Sequence, residues 1–238
     1  MTALLVLERE SLDRVVTVSR GASAESGTRI GLRRGERLRA GDLLAATLIY
    51  SANDACRALV DHVGGDRERF VGLMNARARE LGLDDSHFND PCGHDRPRHY
   101  TSANDLAILT EAALRNQTFR ELISRQQLQI RTVDGRRSFV LRSKNRLLGR
   151  YHGAIGVKTG YTEAAGRCFI ALAERDGTRV LLVMLHARNR WHDAAAMLDR
   201  AFLRAGKVAF SNRTSSETRG RGEMLQKKTD SEDAVNYR

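Results

Sequence analysis

The sequence predicts an α+β domain in which an antiparallel sheet is packed with helices. Two observations lead there. The first half spaces its apolar residues as helices do, between capping and stop signals, and the second half carries β-rich runs around Asp-Gly turns before one last amphipathic helix. A third observation bounds the size: 238 residues, 41% hydrophobic and 29% charged, suffice for one buried core. The expected organisation is one domain over 1–210 followed by a polar tail over 211–238, where few apolar residues remain and disorder is expected.

Met1 to Glu10 reads as an amphipathic helix; it lacks the basic start and small-residue cleavage site of a signal peptide. Arg14 to Ser19 is a short β-branched run, and the Gly, Ser and Arg-rich stretch from Arg20 to Gly35 reads as loop. Asp42 is placed to cap a helix through Leu43, Leu44, Leu48 and Ile49 that stops near Ser51. A second helix runs from about Asn53 to His62 and stops at Gly64-Gly65. Asp66 caps a third, with Phe70, Met74 and Ala78 on one face and Gly82 ending it. Thr101-Ser102 opens a fourth through Leu106, Leu109 and Ala113. The pattern then changes to strands, at Leu128 to Val133 before the Asp134-Gly135 turn, and at Cys168 to Ala173 and Val180 to Leu185 around Asp176-Gly177. Trp191, Ala194, Leu198 and Phe202 mark the final helix.

Composition narrows function only in part. The longest apolar runs fall far short of the roughly 20 residues a membrane-spanning helix needs, so membrane association is not visible in the sequence. A formal charge of +11, from 40 Lys plus Arg against 29 Asp plus Glu, favours anionic partners. The arginines are scattered without interleaved aromatics or a nucleic-acid motif, so no nucleic-acid partner is expected. Cys56, Cys92 and Cys168 lie far apart and imply no disulfide framework. Cys92, His94 and His99 cluster, but their spacing matches no zinc pattern; no metal is expected.

Gly156-Val157-Lys158-Thr159-Gly160-Tyr161-Thr162 is the strongest local signal, because a Lys-Thr-Gly triplet before a strand pair is one of three signatures of penicillin-binding proteins and β-lactamases. Lys158 supplies a fixed charge for a substrate carboxylate, Thr159 a hydroxyl to bind it, and Gly160 room for substrate backbone against an edge strand. The Tyr161 N–H is placed to meet an oxyanion. Alone, such a triplet is also a common strand end. Ser51-Ala52-Asn53 adds the second signature, in the expected order between two helices. There the Ser51 hydroxyl passes a proton toward the leaving amine and the Asn53 amide holds the peptide carbonyl. Ser102-Ala103-Asn104 matches the same pattern and reads as a helix cap.

With these motifs, the stretch from Asn145 through Lys158-Thr159-Gly160 to Cys168 resembles the substrate-strand region of D-alanyl-D-alanine carboxypeptidases, serine-type penicillin-binding proteins of low molecular mass. The resemblance covers about residues 1 to 205. It implies the mixed fold shared with serine β-lactamases, and a reaction without a cofactor that removes the terminal D-alanine of peptidoglycan stem peptides ending in D-Ala-D-Ala through an acyl-enzyme. β-Lactams would acylate the same serine. Family localisation is extracytoplasmic, and the segment after Lys158-Thr159-Gly160 favours the carboxypeptidase over a serine β-lactamase.

The sequence departs from the family at the nucleophile. In the family, Ser-x-x-Lys opens a helix that continues in a run similar to Met1 to Glu8, so the motif, with the family's leading strands, is expected just before Met1. Within the 238 residues no serine is followed three positions later by lysine; Ser11, Ser26 and Ser143 meet arginine there, which does not lose its proton. Without an adjacent base a hydroxyl attacks poorly, so the chain is expected to be inactive as given. A peptidoglycan-binding pseudoenzyme is the rival from another class.

Overall fold

The computed structural model describes residues 1–206; the tail expected over 211–238 lies outside them. The opening helix, α1 (Thr2–Arg9), buries Leu4, Leu5 and Val6. β1 (Val15–Thr17) pairs antiparallel with β2 (Arg37–Arg39), a strand too short and too charged to leave a sequence signal. The connection between them, expected as loop, contains one helical turn, α2 (Arg20–Ser23). Ser19 caps this turn by accepting from the Ala22 N–H at 2.9 Å, and Ala22 is buried.

α3 (Ala40–Ala45) starts before Asp42, which therefore sits inside the first turn and does not cap it. The reason lies in the β-pair: β2 feeds straight into the helix, with the Ala40 N–H on the Arg14 carbonyl at 2.8 Å and the Gly41 N–H on Leu12 at 2.9 Å. Burial pushes the Asp42 carboxyl above its ordinary pKa. The helix then widens into a π-turn over Ala46–Tyr50.

α4 (Asn53–Gly64) runs through the middle of the helical half, burying Ala55, Ala58, Leu59 and Val60, and stops at Gly65 with φ +79°. α5 (Arg67–Glu80) is capped by Asp66, and α6 (Ala103–Leu114) by Ser102. α7 (Gln117–Ser124) was not expected. Asn116 caps it through the Phe119 N–H at 3.1 Å, and Phe119 and Ile123, one turn apart, fill its buried face.

The strand half follows as two antiparallel groups. β3 (Gln127–Arg131) pairs with β4 (Ser138–Arg142); β3 ends before Thr132, whose hydroxyl accepts from the Arg137 N–H and closes a wider turn. β5 (Ala154–Thr162), β6 (Gly166–Arg175) and β7 (Thr178–Met184) form a sheet in that order, with Asp176 and Gly177 both at positive φ in the tight β6–β7 turn. β5 is thus an edge strand among the described residues. A last helix, α8, covers 190–206 and packs Ala194 and Leu198 onto Phe169, Ala171 and Ala173 of β6.

One expectation about the cysteines fails. Cys56 of α4 is disulfide-bonded to Cys92, which fastens the segment after α5 to the central helix. The bond also withdraws Cys92 from the Cys92, His94 and His99 set weighed as metal ligands. No helix among the described residues is long and apolar enough to cross a membrane.

Candidate active site

The π-turn ends on Ser51 with φ +60° and ψ +42°, a left-handed conformation that costs a residue with a Cβ on the order of 1 kcal/mol. Such wide turns inside helices recur at functional sites because they redirect one side chain. Here the redirected hydroxyl meets Lys158 of β5, whose Nζ donates to Ser51 Oγ and, at 2.9 Å, to the Thr159 carbonyl. Two motifs 107 residues apart are brought into direct contact.

Asn53 opens α4 immediately beyond Ser51. Its Nδ2 donates to the Ser26 carbonyl at 2.9 Å, and its own N–H to the Thr28 carbonyl at 2.7 Å. The segment between α2 and β2 is therefore a wall of the site. Gly27 is required in that wall: φ is +77°, and a Cβ there would lie 2.7 Å from Asn53 Nδ2. Asp54, fully buried, fixes the same segment by accepting from the N–H groups of Ile30, Gly31 and Leu32 at 3.2, 2.9 and 2.9 Å.

Burial pushes the Lys158 ammonium down to about 8, and the nearby charges of Lys144 and Arg190 push in the same direction. Lys144 donates to Thr28 Oγ1 at 2.8 Å and lies over the Tyr50 ring. Arg190, at the start of α8, donates to the Gly160 carbonyl at 2.9 Å. Motif matching missed both cations. The resemblance quoted the stretch just after Lys144, and Arg190 lies 30 residues from the carbonyl it holds, so only the folded chain unites them.

Thr159, Gly160 and Tyr161 follow Lys158 along β5, with Gly160 exposed and Tyr161 66% exposed. The two glycines of this strand differ in what requires them. A Cβ on Gly156 would lie 2.9 Å from Ile123 of α7, so packing excludes one. A Cβ on Gly160 would meet only Cys168 Cβ at 3.6 Å, an ordinary contact, so the fold itself does not demand glycine there. A cavity of about 300 Å³ reaches from Ser51, Asn53 and Lys158 to Met1 and Thr2 at the start of α1. Ser102 caps α6 by accepting from the Asp105 N–H at 3.1 Å, away from all of this.

The arrangement offers a cationic, partly enclosed edge strand with a hydroxyl and an amide facing it, the chemistry of a site for a peptide carboxylate. The family model of D-alanyl-D-alanine carboxypeptidases matches residues 1–189. The chain is 33% identical over 210 residues to the D-alanyl-D-alanine carboxypeptidase DacF of Bacillus subtilis, covering 85% of this chain and 54% of that protein. It is 31% identical to DacB2 of Mycobacterium tuberculosis, covering 85% and 71%. The chain thus spans about half the length of the Bacillus relative. Among solved structures, a mutant of a Streptomyces DD-transpeptidase superposes with TM-score 0.79 at 30% identity, covering 85% of each chain. A D-alanyl-D-alanine carboxypeptidase of Mycobacterium tuberculosis gives TM-score 0.79 at 30% identity, covering 85% of this chain and 78% of that one.

Proposed function

This chain belongs to the D-alanyl-D-alanine carboxypeptidase family, and from that premise we propose that residues 1–238 form the peptide-holding side of its active site. The ligand is a peptidoglycan stem peptide ending in D-Ala-D-Ala, laid against β5 outside the cytoplasmic membrane. Lys158 and Thr159 bind its terminal carboxylate, Gly160 leaves room for its backbone, and the Tyr161 N–H faces its reacting carbonyl. Asn53 holds the penultimate peptide carbonyl, and Ser51 passes a proton between Lys158 and the leaving amine. The observation that carries this reading is the bond from Lys158 Nζ to Ser51 Oγ, which unites the two motifs in one cavity.

In the family reaction a serine attacks the peptide carbonyl, D-alanine leaves, and water hydrolyses the ester. No serine of these 238 residues has lysine three positions on, so residues 1–238 bind the peptide without cleaving it. β-Lactams, which need that serine, do not label them.

Calorimetric titration with an N-acetylated peptide ending in D-Ala-D-Ala tests the first claim. Saturable binding that Lys158→Ala abolishes is expected; no binding, or binding indifferent to that change and to an L-Ala-L-Ala ending, overturns it. A fluorescent penicillin tests the second, where covalent labelling of residues 1–238 is the overturning result.

A further inference from the structure

Near the turn that joins β5 to β6 lies a second pocket, of about 470 Å³, lined by Arg146, Arg167, Arg188, Asn189, Arg190 and Trp191 among others. None of its four arginines is in an ion pair among the described residues, and Asp193, the adjacent acid on α8, lies 3.5 Å from His192 instead. Two of the four guanidinium groups are held by backbone carbonyls, and those of Arg146 and Arg188 are exposed. Arg167 Nη1 donates to the Arg188 carbonyl at 3.1 Å, and Arg190 Nη1 to the Gly160 and Cys168 carbonyls at 2.9 and 3.3 Å. The Arg190 guanidinium also lies 4.8 Å from the Trp191 ring centroid.

Like charges brought side by side repel one another, and an unpaired cluster of this kind is relieved by an anion. Burial lowers the Arg190 pKa, and Arg167 and Arg146 lower it further, so the cations are close enough to be felt by one another. Planar guanidinium forks match the paired oxygens of a carboxylate or phosphate. The unpaired N–H groups at the start of α8, a helix covering 190–206, add partial positive charge on the same side.

We infer that this pocket is an oxyanion-binding site that takes a carboxylate or phosphate group on Arg146, Arg167 and Arg188, walled by Trp191. Arg190 touches β5 through Gly160, so the pocket adjoins the peptide strand. The site nonetheless stands independently of the peptide reading, since a free oxyanion has no D-Ala-D-Ala end.

Trp191 is the single tryptophan of the chain, so its fluorescence reports on this pocket alone. Residues 1–238 are titrated with inorganic phosphate and, separately, with glutarate, at ionic strength held constant with sodium chloride, and binding is followed by Trp191 emission and by calorimetry. A saturable response to either anion is expected, weakened about tenfold in the double variant R146Q/R188Q, whose replaced side chains are exposed. Saturation with phosphate alone identifies phosphate groups as the ligand, and saturation with glutarate alone identifies carboxylates. Silence of both readouts with both anions overturns the proposal, as does unchanged affinity in R146Q/R188Q. Loss of peptide binding in Lys158→Ala with phosphate binding retained separates this site from the first.

Discussion

Residues 51–54 and 102–105 are the same tetrapeptide, Ser-Ala-Asn-Asp, and the fold uses them differently. Both end in a buried acid that fastens loop backbone: Asp54 holds Ile30, Gly31 and Leu32, and Asp105 holds the Asp85 N–H and the Ser86 hydroxyl. They part at the first and third positions. Ser102 is an extended N-cap with φ −106°, and Asn104 points to solvent. Ser51 is left-handed at the end of a π-turn, and Asn53 is pinned to the Ser26 carbonyl. The difference arises upstream. A helix runs directly into Ser51 and forces a redirected turn, whereas an extended chain enters Ser102 and leaves it free to cap. A motif is therefore a site only when the preceding element aims it at a second motif.

The shared acids should give the largest effects and the least difference. Asp54→Ala leaves four backbone N–H groups without their acceptor, those of Ile30, Gly31, Leu32 and Ala55, so a loss of about 3 kcal/mol or more is expected in urea unfolding. Asp105→Ala strands the Asp85 N–H, while the Ser86 hydroxyl keeps Thr101 Oγ1 as a partner, and should lose about 2 kcal/mol or less. A loss below about 1 kcal/mol for Asp54→Ala would show that these bonds do not hold the segment.

The asparagines should differ in function. Asn53→Ala should weaken binding of the D-Ala-D-Ala peptide about tenfold, and Asn104→Ala should leave it unchanged. Equal losses would sink the distinction. Binding should also depend on pH through Lys158. With its pKa pushed down to about 8, the ammonium discharges above that pH, and affinity for the peptide carboxylate should fall about tenfold between pH 7 and 9. Lys158→Arg, which keeps its charge, should remove the pH break even if affinity drops. The effect on stability has the opposite sign. Between about 8 and the ordinary value of 10.5 the unfolded lysine binds more protons than the folded one, so this group's contribution to stability rises with pH.

The helices and hairpins were legible where a cap or turn residue stood at the edge of a long periodic run, as at Asp66, Ser102 and Asp176-Gly177. β2 was not, because its single alternation over three residues is too short to stand out, and α7 was not, because Phe119, Leu122 and Ile123 give it only one apolar turn within eight residues. Asp42 misled because an acid in a first turn and an acid at a cap look alike before the start of the helix is known. Of the site, both motifs were visible as local strings. Lys144, Arg190, the Ser26 to Thr28 wall and the Cys56–Cys92 bond were not, since each depends on a contact between residues distant in sequence.

The smallest effect is the one in which the two serines should change stability in opposite directions. Ser102→Ala removes a side-chain cap and should destabilise by about 1 kcal/mol, with peptide binding intact. Ser51→Gly removes a Cβ from a left-handed residue, relieving strain on the order of 1 kcal/mol, while the greater freedom of the unfolded glycine takes back part of it. A small net gain in the urea midpoint is expected together with weaker binding, because Lys158 loses the acceptor that positions its ammonium. Ser51→Ala separates the two terms: it removes the hydroxyl and keeps the strain, so it should lose the binding without the gain. If Ser51→Gly were less stable than Ser51→Ala, the left-handed turn would not be strained, and the case for Ser51 as a residue held against its preference would fall.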